Sequence, residues 1–231
     1  MPLASPHTSE DHSPLSSIEI IYEAKKEAAL QELSEYNEDD YQRDIATLAD
    51  WHGTIILHGL SGSGRTTQLG FFEKKPGFTR IIAHTNRDLR PGETNGKEVI
   101  LQTTEEIEQL YAAGGNVFIE RYPDGRMYFY TFPDTTSTTY LTDPTQVGPE
   151  MKQKLPKSLI VWFDIPFSDA VHRAFDRRGD KIDAILTRTS APSLHYNVIN
   201  HENRDLEILG TLKPEEVHRL LVKRIAEKID K

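Results

Sequence analysis

The first regular pattern in the 231-residue chain is helical. Ser16 is followed three residues later by Glu19, the hydroxyl–carboxylate spacing of a capping box. Ile18, Tyr22, Ala29, Leu33 and Tyr36 then fall near one helical face, with Lys25 interrupting the stripe. A second, shorter helix is predicted over about 40–51. At residue 54 the pattern changes. The run 54–58 (TIILH) is short, apolar and β-branched, and reads as a strand. The segment 59–64 (GLSGSG) follows, then a helical stretch over about 66–73, ended by Pro76-Gly77. A second apolar run, 159–163 (LIVWF), predicts another core strand, and a helix follows over about 169–175. Between them, 129–132 and 138–141 fit a hairpin around Pro133-Asp134. Alternatively, 139–143 (TYLTD) is a strand of its own that ends in an acid. Residues 1–15, rich in Ser, Pro and His, read as a disordered tail.

Charge changes this picture in one way. The net charge is −9, and residues 1–50, with 12 acidic and 3 basic residues, carry all of it. The remainder holds 24 of each sign and balances. A duplex-binding domain is usually basic, so this balance argues against nucleic acid as a partner. The acidic arm leaves a protein partner open, beside the plainer reading of helices packed on the main domain. The chain has no cysteine, which excludes disulfides and thiolate metal sites. The start MPLASPHTSEDHSP lacks a signal peptide's basic and apolar parts, and no apolar run could cross a bilayer. A cytoplasmic protein without membrane contact is expected.

The strand–glycine loop–helix order at 54–73 is the context of a phosphate-binding loop. Glycines permit the positive φ that turns successive backbone N–H groups toward one anion, and the helix N-terminus adds its positive dipole end. Gly59, Ser61, Gly62, Ser63, Gly64, Arg65, Thr66 and Thr67 are the candidate ATP-binding residues, with the Thr66 hydroxyl placed to ligate Mg²⁺. Arg65 stands where such loops usually carry lysine. It keeps the charge but is longer, planar and forked. A loop that binds nucleotide without transferring phosphate is the competing reading.

Residues 81–110 (IIAHTNRDLRPGETNGKEVILQTTEEIEQL) resemble the monophosphate-binding region of guanylate kinases. The resemblance is carried by Thr85, Arg87, Arg90, Gly92-Glu93 and Gly96, by the strand 115–120 (GNVFIE), and by 158–188 and 196–200 near the C-terminus. It covers roughly residues 52–228. It implies an α/β P-loop NTPase fold with a central, mainly parallel sheet, an inserted acceptor-binding subdomain at about 80–133 and a lid at about 173–190. The kinase-like domain would be 52–231, preceded by the helical extension 16–51. The resemblance assigns Arg87, Arg90 and Tyr128 to the acceptor phosphate and Glu120 to the guanine edge. Asp143 is a base or acceptor-site contact in this alignment, whereas Asp164, at the end of an apolar strand, has the form of the metal-linked acid in many P-loop enzymes. Arg173, Arg178 and Arg188 become the lid arginines, with Arg177 a close rival to Arg178. The family's early serine aligns with Ala83, and its tyrosine after the second glycine with Val99. The implied reaction is phosphoryl transfer from ATP, with Mg²⁺, to a nucleoside monophosphate, GMP first. The alternatives are a guanylate-kinase-like binding module without turnover and a small-molecule kinase sharing only the phosphate loop.

Overall fold

The computed structural model describes residues 16–90, 92–133, 137–144, 149–178 and 204–231. Two helices, α1 (Ser17–Ser34) and α2 (Glu38–Trp51), come first. Each begins with a reciprocal capping box, Ser16 with Glu19 and Asn37 with Asp40. The caps satisfy backbone N–H groups that a first helical turn leaves unpaired.

Five parallel strands form the central sheet in the order β2 (Phe78–Arg80), β7 (Thr139–Thr142), β1 (Thr54–Gly59), β8 (Ser158–Asp164) and β9 (Leu206–Leu209). Every residue of β1 is buried, as expected of a central parallel strand covered on both faces. Alternation along β1 and β8 divides the core. Ile55, Leu57, Leu159, Val161 and Phe163 pack on the face covered by α1, α2, α3 (Arg65–Phe72) and α7 (Pro214–Ile229). Ile56 and Ile160 point the other way, into a cluster with Ile81, Tyr130, Phe132, Met151 and Leu155. Met151 lies on the short helix α5 (Pro149–Lys154).

A second, four-stranded sheet has the order β4 (Val99–Leu101), β3 (Ala83–Thr85), β6 (Met127–Thr131), β5 (Val117–Arg121). Helix α4 (Thr104–Ala112) covers it through Ile107, which sits against Val117, Met127 and Phe129. The hairpin expected between 129–132 and 138–141 does not form. β6 pairs with β3 and β5, while β7 pairs with β1 and β2 in the other sheet. Both segments alternate well enough for a hairpin, but β6 pairs along its whole length with β5, while β7 is taken up between β1 and β2. The strand reading of 139–143 therefore holds.

The N-terminal helices are built into the domain. Thr139, on β7, donates its hydroxyl to the Leu48 carbonyl of α2 at 2.5 Å, and Tyr41 of α2 meets His218 of α7 at 3.1 Å. Glu32 of α1 pairs with Arg224 at 2.7 Å. Lys25 does not interrupt the α1 stripe but completes it, through an ion pair at the end of β8. Helix α6 (Phe167–Arg178) follows β8. Arg188, the segment 196–200 and most of the predicted lid lie outside the described residues. Among the described residues no helix is long and apolar enough to cross a membrane.

Candidate active site

The glycine loop runs from the end of β1 to α3. Gly62 and Gly64 have φ of 89° and 97°, and Gly64 is the N-cap of α3. The close approach at Gly62 is backbone on backbone, since a Cβ there would lie 2.5 Å from the Ala170 carbonyl oxygen. The loop is thereby seated against the first turn of α6. Glycine is required both for its dihedral angle and for its missing side chain.

A cavity of about 370 Å³ opens beside the loop. Gly62, Ser63, Gly64 and Thr67 line it, together with Arg173, Asp176 and Val217. Arg173 is steadied by donating Nη1 to the Gly210 carbonyl at 2.8 Å. Ser63 is buried and its hydroxyl has no hydrogen-bond partner among the described residues. Arg178 ends α6, and its side chain lies outside the described residues.

The two candidate acids separate cleanly. Asp143 follows β7, beside the loop, and its Oδ2 accepts from the Thr66 hydroxyl at 3.2 Å. Arg65 donates Nη1 to the backbone carbonyls of Asp143 and Pro144, at 3.1 Å each. Asp164 instead accepts from the Tyr22 hydroxyl at 2.6 Å and from Lys25 at 2.5 Å. Thr66 and Asp143 supply hard oxygens only, a donor set suited to Mg²⁺ that keeps most of its shell on water and phosphate.

His58, on β1, was not singled out from the sequence. It is fully buried, 3.4 Å from the Pro144 carbonyl oxygen through Nδ1. Burial, then the charge of Arg65, pushes its pKa down to about 3, so it is a neutral imidazole. A histidine closing an apolar strand gives no sequence signal of this role.

Four other predicted residues gather at one end of the four-stranded sheet. Glu120 and Tyr128 are cross-strand partners on β5 and β6. The Tyr128 hydroxyl accepts from Arg87 Nε at 2.8 Å and from Arg90 Nη2 at 3.4 Å. Glu120 is fully buried, with the Tyr122 hydroxyl 3.4 Å from its Oε2. Asn86 fixes the β5–β6 turn that aims Tyr128, donating to the Gly125 carbonyl at 3.0 Å and accepting from Met127 N–H at 2.8 Å.

Glu93 organises the arginines. It takes both terminal nitrogens of Arg87, at 2.6 and 2.8 Å, and the backbone N–H of Arg90 at 2.8 Å. Burial pushes the Glu93 carboxyl up, but the bonds from Arg87 and Arg90 outweigh it and hold its pKa below the usual value. Such a planar, two-point pair is the strong form of the interaction. The signal for Glu93 was its place in Arg90-Pro91-Gly92-Glu93, three residues from one arginine and six from the other. Asp143, beside the glycine loop, acts with Glu120, Tyr122 and Tyr128 on the buried Tyr130, whose pKa burial and these charges push well up. Ala83 and Val99 stand side by side in the β3–β4 register, so the two hydroxyls lacking relative to the family motif would have been neighbours.

No family model matches the chain. A guanylate kinase of Buchnera aphidicola is 27% identical over 140 residues, which cover 57% of this chain and 68% of the relative. That of Oceanobacillus iheyensis is 25% identical over 161 residues, 67% and 74% of the two chains. The crystal structure of guanylate kinase from Anaplasma phagocytophilum superposes with a TM-score of 0.55, at 15% identity, over 76% of this chain and 84% of that one.

These likenesses support a divergent guanylate kinase family member. Its fold is the α/β P-loop NTPase fold, with the central parallel sheet described above. Against the family's motif its departures are concrete: Arg65 in the loop, and Ala83 beside Val99 in the second sheet.

Proposed function

We propose that the chain transfers the γ-phosphoryl group of Mg·ATP to a nucleoside monophosphate, with GMP the first acceptor to test. The relatives support a nucleotide kinase. The observation that carries the finer reading is the grouping of Arg87, Arg90, Tyr128 and Glu120 at one sheet end, apart from a glycine loop with its own acid. Two arginine cations and a phenol suit a dianionic phosphate, and a buried carboxylate suits the N1–H and amino edge of guanine.

In this reading ATP lies on residues 59–67, its base in the cavity beside Arg173 and Val217. The N–H groups of the loop and the α3 N-terminus hold the phosphates. Thr66 and Asp143 would hold the Mg²⁺, which neutralises phosphate charge when bound. Arg173, on the near side of the predicted lid, is proposed to act with Arg65 on the transferring group, and Arg178 and Arg188 are proposed to join them. Charge spreads over the γ-phosphoryl oxygens, so the residues work by positioning and cationic stabilisation. Glu93 already occupies the terminal nitrogens of Arg87, so Arg90 and the Tyr128 hydroxyl are the first contacts for an incoming phosphate.

A second reading, a binding module without turnover, is favoured by the adjacent Ala83 and Val99, which offer the acceptor no hydroxyl. Coupled ADP-release assays across a panel of monophosphates decide between them. Turnover with GMP supports the kinase. Micromolar nucleotide binding with no turnover of any acceptor supports the module.

A further inference from the structure

We infer that Arg65 is a positioning residue for the acid-bearing turn after β7, dividing its fork between that turn and the donor phosphates. This rests on the phosphoryl-transfer reading above.

The dipeptide Asp143-Pro144 is held from three sides. Arg65 Nη1 donates to both of its carbonyls, the Thr66 hydroxyl donates to the Asp143 carboxylate, and His58 Nδ1 faces the Pro144 carbonyl. A carbonyl oxygen only accepts, so the neutral His58 carries its proton on Nδ1. It thus adds a donor without setting a second cation beside Arg65. Pro144 has no N–H of its own with which to pin the turn. The three grips come from the end of β1 and the first turn of α3, the segment that carries the glycine loop. The position of the Asp143 carboxylate relative to Thr66 is thereby tied to the loop through backbone atoms as well as through the side chain.

This arrangement needs a guanidinium. Its five N–H groups lie in one plane on separate edges, so Nη1 can serve two carbonyls while the Nε edge and Nη2 remain for a phosphate oxygen. An ammonium concentrates its donors on one atom. Drawn toward phosphate, it would release the carbonyls and leave Asp143 set by Thr66 alone. Lysine at this position is therefore a loss here, despite being the usual residue of such loops.

The test compares wild type with Arg65→Lys, Asp143→Asn and the double variant. Binding of a fluorescent ATP analogue is measured against Mg²⁺ concentration, together with steady-state turnover. Arg65→Lys should bind the metal-free analogue within about threefold of wild type, since the charge is retained. It should need about tenfold more Mg²⁺ for half-maximal tightening, the size of one charge-assisted hydrogen bond. Asp143→Asn should raise the Mg²⁺ requirement at least as far, and the double variant should be no worse than Asp143→Asn alone. Wild-type Mg²⁺ dependence in Arg65→Lys, faster turnover in that variant, or additive losses in the double variant would each overturn the inference. Asp143→Asn with an unchanged Mg²⁺ requirement would do so without any substitution at Arg65. Failure of the wild type to bind the analogue at all would instead remove the phosphoryl-transfer reading, and this inference with it.

Discussion

Lys25 of α1 and Asp164 at the end of β8 lie 139 positions apart in sequence and 2.5 Å apart in space. The same ammonium is 3.1 Å from Glu207 of β9, and the Tyr22 hydroxyl takes the other Asp164 oxygen. Asp164 accepts from Gly210 N–H through its backbone carbonyl, and Gly210 in turn accepts from Arg173. The first helix is thus linked by hydrogen bonds to a wall of the cavity beside the glycine loop.

Tyr22→Phe should lower stability by about 1 kcal/mol, the usual net worth of one hydrogen bond. Lys25→Met should lower it by less than about 1 kcal/mol, because the lysine is substantially exposed. Urea denaturation with an unchanged m-value checks both. A loss above about 3 kcal/mol for Lys25→Met would mean the linkage is stronger than an exposed ion pair allows.

Tyr128→Phe removes the hydroxyl that receives both acceptor-side arginines. The proposed function predicts a rise of about tenfold in KM for the acceptor, with KM for ATP unchanged, in steady-state kinetics. An equal rise for both substrates would place Tyr128 outside the acceptor site.

Glu93 makes the second sheet acid-sensitive. Its pKa is depressed in the folded state, so its contribution is full above the unfolded value of 4.5 and is lost as pH falls through the lower folded value. Glu93→Gln should be less stable than wild type at pH 7, and the difference should shrink as pH falls below 4.5, where the unfolded carboxyl takes up a proton before the folded one does. Denaturation at pH 7 and pH 3.5 measures the two differences. A constant gap would show that Arg87 does not depend on the Glu93 charge.

Two histidines predict a decline at milder acidity. His218 packs against Phe71 and Phe72 and bonds to the Tyr41 hydroxyl. Burial, with the charges of Lys75 and Arg219, pushes its pKa down to about 4, and His58 lies at about 3. In the unfolded chain both titrate near 6.5. The unfolded state therefore binds more protons below that pH, and stability falls from pH 6.5 toward 4, by up to about 1.4 kcal/mol per pH unit for each histidine. His218→Asn should flatten part of this slope in pH-dependent denaturation.

Gly62→Ala sets a Cβ 2.5 Å from the Ala170 carbonyl oxygen at a φ of 89°. Clash and dihedral strain act together, so a loss of about 2–4 kcal/mol is expected. Nucleotide binding should weaken even where the variant is folded, because the loop amides move with the backbone. Thermal denaturation and analogue binding report the two effects separately.

Much of this was legible locally. Burial of 54–57 and 159–163 follows from short apolar, β-branched runs, and the loop between strand and helix follows from glycine spacing. The capping box at Ser16 needs only neighbours in sequence. The grouping of Arg87, Arg90, Glu120 and Tyr128 was legible only through a family resemblance, because the strands that juxtapose them come from distant segments.

The sequence by itself placed the strands at 54–58 and 159–163, the Ser16 cap and the glycine loop, since those depend on dihedral preference and on hydrophobic period within a few residues. Tertiary structure alone decided which acid attends the loop. Asp143 and Asp164 both end apolar strands and look alike in sequence, yet Thr66 and Arg65 meet one while Tyr22 and Lys25 meet the other. The reason is that a hydrogen bond is fixed by three-dimensional proximity, which strand order sets, and strand order is a property of the whole sheet.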